Sequence, residues 1–216
     1  MATRSVENVF KVCLLGKSAV GKTSIVNRVV SGTFQAYVKN TLSIAAYAAA
    51  NVYYQDTEYR LGLWDTVGDE KFRAVASITY RDAAAALLVY DLTDEETFDD
   101  VHYWMNELRR KAPEDILVFV IGNKLDLESQ RAVSRSSAVQ YAQENDAVHL
   151  EASAKTGEGI SEILQEICAA LAKTSKERNY SYHSLRQEHT IRLSPSVNSQ
   201  HGQRENTARG CRCRKN

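Results

Sequence analysis

No stretch of this chain approaches the ~18 consecutive apolar residues of a membrane span. The longest apolar run, Ala83 to Tyr90, has the length of a strand. The formal net charge is zero, which excludes a chain that binds as a polyelectrolyte along its whole length. Cysteine is sparse: the four residues are too spread out for a small disulfide scaffold. Cys13 lies in an apolar strand pattern and Cys168 in a late helical one, so both read as buried small hydrophobes. The N-terminal Met1-Ala2-Thr3-Arg4 has neither an apolar signal-peptide core nor a glycine for myristoylation, and the expectation is a cytosolic body.

What is present is unevenly distributed. From Thr174 onward nine Lys/Arg face three acids, leaving a tail at +6 and a body at −6. Apolar residues there are sparse and aperiodic, so residues 174–216 are expected to form a disordered basic tail. A basic arm on an acidic body points to an anionic surface as partner. The preceding residues, with 44% hydrophobic composition in the whole chain, suffice for one ordinary domain, 1–173.

In that domain strand patterns alternate with helical ones. Strands are expected at Val9–Leu15, Ala45–Tyr54, Tyr59–Trp64, Ala84–Tyr90, Ile116–Gly122 and Val148–Glu151. Helices are expected at Lys22–Ser31, Glu95–Lys111, Ser134–Asn145 and Ile160–Lys173, the third capped by Ser134. The last shows the spacing of a buried helical stripe through Ile160, Ile163, Leu164, Ile167, Cys168 and Leu171. A short polar turn predicts an antiparallel hairpin from the second and third strands. The fold class is therefore α/β: a mostly parallel six-stranded sheet with one antiparallel edge strand and helices on both faces. Ligands of such sheets bind beyond the carboxyl ends of the strands.

Just after the first strand stands Gly16-Lys17-Ser18-Ala19-Val20-Gly21-Lys22-Thr23, the phosphate-binding G-x-x-x-x-G-K-[ST] pattern. Its glycines let the backbone turn its N–H groups toward phosphate oxygens. The following helix N-terminus adds about half a positive charge. Lys22 supplies a point charge for the outer phosphates, and the Thr23 hydroxyl can coordinate Mg²⁺. Ser18, Ala19, Val20 and Ser24 complete the cradle. After the third strand, Asp65-Thr66-Val67-Gly68 offers a carboxylate for the water shell of Mg²⁺ and a glycine N–H for the γ-phosphate.

After the fifth strand, Asn123-Lys124-Leu125-Asp126 selects the base. The Asp126 carboxylate can accept hydrogen bonds from guanine N1–H and N2–H₂, a donor pair that adenine lacks. The Lys124 stem can lie along the ring plane, and Asn123 can tie this loop to the phosphate loop. After the sixth strand, the backbone of Ser153-Ala154-Lys155 can meet guanine O6. GTP/GDP and Mg²⁺ are the implied ligands.

These motifs, with Leu61-Gly62-Leu63-Trp64-Asp65, Lys71-Phe72-Arg73, Tyr80-Arg81-Asp82-Ala83 and Leu88-Val89-Tyr90-Asp91-Leu92-Thr93, resemble the Ras superfamily of small GTPases, and most of all its Rab branch. The resemblance spans about residues 8–173 and implies a P-loop NTPase G domain. The segment Thr41-Leu42-Ser43-Ile44-Ala45-Ala46-Tyr47 is similar to the early-endosomal Rab subgroup. By that resemblance Thr41 is the switch I Mg²⁺ ligand and Phe34 packs on the guanine edge. The γ-phosphate would hold Thr41 and Gly68, and hydrolysis would release both. The implied partners are an exchange factor, an activating protein, effectors and a GDP-dissociation inhibitor or escort protein. The implied location is the cytoplasmic face of intracellular membranes, endosomal by subgroup, or the cytosol when escorted.

The chain departs from the family pattern at several points. It carries one residue more between Thr41 and Asp65 than the endosomal subgroup. Thr79-Tyr80 replaces a Tyr-Tyr pair, and Val67 replaces alanine. Asp69 stands where the family carries the glutamine that orients the attacking water, which implies a catalytic set of Lys22, Thr41, Gly68 and Asp69 with slow hydrolysis. Cys211-Arg212-Cys213 resembles the Rab double-cysteine prenylation signal, followed here by Arg214-Lys215-Asn216. Two lipids, or one plus basic residues, anchor stably. The tail lacks the interleaved aromatics of a nucleic-acid binder, and no nucleic-acid partner is expected.

Overall fold

A computed structural model describes residues 9–36, 45–68 and 73–188, with the backbone alone at 73–76 and 176–188. The elements are β1 (Val9–Leu15), α1 (Lys22–Ser31), β2 (Ala45–Tyr54), β3 (Thr57–Thr66), α2 (Arg73–Tyr80), β4 (Ala85–Asp91), α3 (Glu95–Lys111), β5 (Leu117–Asn123), α4 (Arg135–Glu144), β6 (Val148–Glu151) and α5 (Ile160–Glu188). A 3₁₀ segment, Leu125–Gln130, follows β5. The sheet has the order β2-β3-β1-β4-β5-β6. Only the β2–β3 pair is antiparallel; β3–β1, β1–β4, β4–β5 and β5–β6 run parallel.

Alternation along each strand divides the core in two. Val12 and Leu14 of β1, Leu87 and Val89 of β4, and Phe119 and Ile121 of β5 pack with Ile25 of α1 and Ile163 and Ile167 of α5. Cys13 and Leu15, Leu88 and Tyr90, and Val120 face the other way, toward Val101 and Trp104 of α3 and Ala138 of α4. Helices therefore cover both faces, and all seven residues of β4 are buried, as a central parallel strand requires. Cys13 and Cys168 are free and buried. Burial pushes their thiols up to about 12 and about 11, which leaves them inert.

Local sequence explains the helix ends. Asp94 caps α3, its carboxylate accepting the Glu96 N–H at 3.0 Å. Glu95 and Glu96 in the first turn and Arg109, Arg110 and Lys111 in the last complement the helix dipole. Ser134 precedes α4 but makes no side-chain cap; its hydroxyl pairs with Ser136 at 2.8 Å instead. The expected end of the last helix also needs correction. α5 does not stop at Lys173 but runs to Glu188, because residues 174–188 contain neither proline nor glycine to end it. Two compact units divide the chain, Met1–Glu177 and Arg178–Asn216, and the sheet belongs to the first. Among the described residues no helix is long and apolar enough to cross a membrane.

The β2–β3 hairpin closes through Gln55 and Asp56, with Tyr54 paired to Thr57. Both turn residues have positive φ, 46° and 60°, the pattern of a type I′ turn. Neither is glycine, and the left-handed region costs an L-residue about 1 kcal/mol. Asp56→Gly is therefore expected to raise stability by about 0.5–1 kcal/mol, seen as a higher urea midpoint at unchanged slope. A lower midpoint would show that Asp56 stabilises the hairpin by other means.

Candidate functional site

The loop after β1 is shaped by close approach. Gly16 has φ 141°, and a Cβ there would lie 2.2 Å from the Val89 carbonyl oxygen. Gly21 has φ 100°, and a Cβ there would lie 2.2 Å from Asn123 Nδ2. Ala19 accepts a left-handed φ of 66° without being glycine. Lys22, the first residue of α1, is 5% exposed. Its ammonium donates to the carbonyls of Gly16 and Lys17, both at 2.8 Å. Burial lowers its pKa to about 8, against the opposing pull of Asp65 and Asp100.

Beside it, the Thr23 hydroxyl donates to Asp65 Oδ2 at 2.6 Å. Asp65 is buried near the end of β3. The next residue, Thr66, donates through Oγ1 to the Leu14 carbonyl at 2.6 Å, fixing β3 to β1 at its carboxyl end. Gly68 reaches the phosphate loop directly: a Cβ there would lie 2.6 Å from both Lys22 Nζ and Ser18 N. No larger residue could stand so close.

Thr23 and Asp65 are hard oxygen donors already in contact, which fits Mg²⁺. Among the described residues no group of three or more His, Cys, Asp or Glu could hold a metal alone. Phosphate and water would supply the remaining ligands of such an ion. When bound, Mg²⁺ would neutralise phosphate charge at this place.

The base-side loops are joined by Asn123, which is 2% exposed. Its Nδ2 donates to the Val20 carbonyl at 2.8 Å, the tie to the phosphate loop that its position suggests. Its Oδ1 accepts the Ala154 N–H at 3.1 Å, so that N–H, expected to face the base, here closes the loop. Asp126 Oδ1 accepts from the Ser153 hydroxyl at 2.6 Å, and Oδ2 lies 3.2 Å from Lys155 Nζ. Burial pushes the Asp126 carboxyl up, but the bonds from Ser153 and Lys155 outweigh it and hold the pKa below its ordinary value. Asp126 is thus an oriented anion.

Lys124 takes a left-handed φ of 69°, and its ammonium lies 2.5 Å from Asp91 Oδ2 at the end of β4. Asp91 Oδ1 meanwhile accepts the Thr93 N–H at 2.9 Å and its hydroxyl at 2.8 Å. Burial raises the Asp91 pKa, and these donors more than reverse it. Sequence reasoning gave Asp91 no role at the site, although a carboxylate ending a central strand is a visible signal. It also passed over Arg28 on α1, which nothing in the local pattern distinguishes from a solvated helix residue.

Gly16, Ser18, Ala19, Val20, Gly21, Lys22, Thr23, Ser24, Asp65, Gly68, Asn123, Lys124, Asp126, Ser153, Ala154 and Lys155 all lie on the loops, or at the element ends, beyond the carboxyl ends of β1, β3, β5 and β6. Phe34 is half-buried and packs against the α1/α5 side of the core. Thr41, Asp69, Cys211 and Cys213 lie outside the described residues.

A glycine-turned loop with a buried lysine, an oxygen pair suited to Mg²⁺ and a separate oriented carboxylate define the site of a P-loop nucleotide-binding protein. A family model described as Ras family matches residues 11–173. The chain is 41% identical over 169 residues to Ras-related protein Rab-5A of Dictyostelium discoideum, covering 78% of this chain and 84% of that one. The chain belongs to the Ras family and is a small GTPase, a hydrolase of GTP.

The oriented Asp126 carboxylate yields a direct test. Asp126→Asn places an amide in its position, so affinity for GDP should fall steeply, by ~10⁴-fold on the scale of sites that lose a specific polar partner. Xanthine nucleotides, which present a carbonyl there, should gain affinity. Competitive binding of GDP and XDP to parent and variant checks this, and undiminished GDP affinity would refute the assignment.

Proposed function

We propose that this GTPase is a GTP/GDP switch that recruits effectors in vesicle or endosomal membrane traffic, with slow intrinsic hydrolysis. The observation that carries the reading is the contact between Gly68 and the phosphate loop, beside Lys22 and the Thr23–Asp65 pair. A γ-phosphate entering beside Lys22 must meet Gly68, so the third phosphate can be sensed by the segment that Gly68 begins. In this reading Thr23, Asp65 and Thr41 ligate Mg²⁺, Lys22 holds the outer phosphates, and Thr41 and Gly68 report the γ-phosphate. Asp126 reads the base, with Asn123, Lys124 and Ser153–Lys155 around it, and Phe34 covers its edge. Resemblance to the early-endosomal Rab subgroup and the likeness to Ras-related protein Rab-5A support the membrane assignment. Exchange factor, activating protein, effectors and an escort are the partners that the resemblance supplies.

Asp69 bears on the rate. A glutamine amide offers both a donor and an acceptor to the attacking water, whereas an ionised aspartate only accepts. At the place that the family resemblance gives it, its charge would meet phosphate oxygens of the same sign, a repulsion on the order of 2–3 kcal/mol at an effective dielectric near ~20. Lys22 and the metal offset part of it, which leaves a handicap of about tenfold or more in rate. Asp69→Gln should raise the single-turnover GTP hydrolysis rate by at least about that factor. An unchanged or lower rate would show that Asp69 is no handicap. Asp69 also favours a second reading, a nucleotide-locked module that recruits partners without turnover; no measurable hydrolysis in the parent, restored in Asp69→Gln, would select it.

Attachment is assigned to lipids on Cys211 and Cys213, reinforced by Arg209, Arg212, Arg214 and Lys215 at roughly 1 kcal/mol each near an anionic leaflet. Changing both cysteines to serine should move the protein from the membrane to the soluble fraction on centrifugation. A single change should leave partial binding. Unchanged sedimentation of the double variant would require another anchor.

A further inference from the structure

Arg28 stands on α1 one turn before the helix ends, and its guanidinium spreads across carbonyls from two separate segments. Nε donates to the Ala154 carbonyl at 2.9 Å, and Nη2 donates to the Lys155 carbonyl at 2.5 Å. Nη1 donates to the Gly32 carbonyl at 2.7 Å. The backbone carbonyl of Arg28 also accepts the Gly32 N–H at 3.1 Å, so Gly32 is held from both sides. Gly157 packs along the same side chain; a Cβ there would lie 3.7 Å from Arg28 Cδ.

The two segments flank the same place. Ser153 and Lys155 are the donors that orient Asp126. Gly32, at a left-handed φ of 66°, is the cap from which the chain leaves α1 toward Phe34. Guanidinium is planar, always charged and fixed in its donor geometry, and bonds from a charged donor are stronger than neutral ones. A lysine ammonium could reach one of these carbonyls but could not span both segments as the fork does.

We infer that Arg28 is a positioning residue for guanine recognition, clamping the Ser153–Lys155 loop to the turn that launches Phe34. It touches no base itself; it acts by fixing the groups that set Asp126. The clamp rests on the reading of these loops as the guanine site. Its consequence is specific. If the Ser153–Lys155 loop loosens, Asp126 loses its orientation, and the bond to the guanine 2-amino group weakens with it. Inosine nucleotides lack that amino group and have less to lose.

The test is release of GDP and of inosine diphosphate from the full chain, the parent beside Arg28→Ala and Arg28→Lys. Loss of the charge-assisted bonds should speed GDP release by about tenfold in both variants. Inosine diphosphate release should change less, so the preference for GDP shrinks. Equal weakening of both nucleotides would mean that Arg28 only supports the fold, and would overturn the inference, as would unchanged GDP release. Full retention of parent behaviour in Arg28→Lys would overturn the fork as its basis. A parent chain that binds GDP no better than ADP would instead overturn the guanine reading itself, and the clamp with it.

Discussion

One buried side chain sets the distance between the two halves of the site. Asn123 spends its amide on the Val20 carbonyl and its carbonyl on the Ala154 N–H, so the phosphate loop, the loop after β5 and the loop after β6 share a single hinge post. Both bonds lie out of solvent, where an unsatisfied amide costs more than a satisfied one gains. The constraint reaches back into sequence. Asn123 can approach only because Gly21 has no Cβ, and Gly21 in turn adopts a φ of 100° that other residues avoid. The phosphate loop and the loop that carries Asp126 thereby become parts of one framework of fixed span.

The sheet supplies the rest of that geometry. Strand order reverses at β1, with β3 on one side and β4 on the other, so loops from both directions converge beyond its carboxyl end. Thr66 ties β3 to β1 there, and Asp91 at the end of β4 holds Lys124. The loops proposed to hold phosphate and base thus sit at the ends of parallel core strands, and Gly68 lies against the phosphate loop.

Much of this was legible in the sequence because the signals were local. The bounds of β1, β2, β6, α1 and α3 follow from apolar period and end residues alone. The glycine pattern and the Asn123–Asp126 and Ser153–Lys155 runs picked out loops that the fold brings together. Other features were not legible, for physical reasons. α2 is only eight residues long, and its Ile78 is 64% exposed, so its apolar residues do not mark the buried face. The 3₁₀ segment after Asn123 buries no residue at all and leaves no pattern to read. The start of β3 at Thr57, after a two-residue turn, was hidden because Gln55 and Asp56 take left-handed φ without glycine or asparagine to announce it. Arg28 and Asp91 act across 126 and 33 residues of chain, on partners that only the fold brings near. The continuation of α5 beyond Lys173 shows the converse: a sequence without apolar period can still hold helical backbone where nothing breaks it.

The proposed switch through the third phosphate can be tested directly by amide hydrogen exchange. The segments around Thr41 and Gly68 should exchange more slowly in the protein loaded with a non-hydrolysable GTP analogue than with GDP, while the loops around Asn123 and Ser153 stay alike. Equal exchange around Thr41 and Gly68 with either nucleotide would contradict a switch governed by the γ-phosphate.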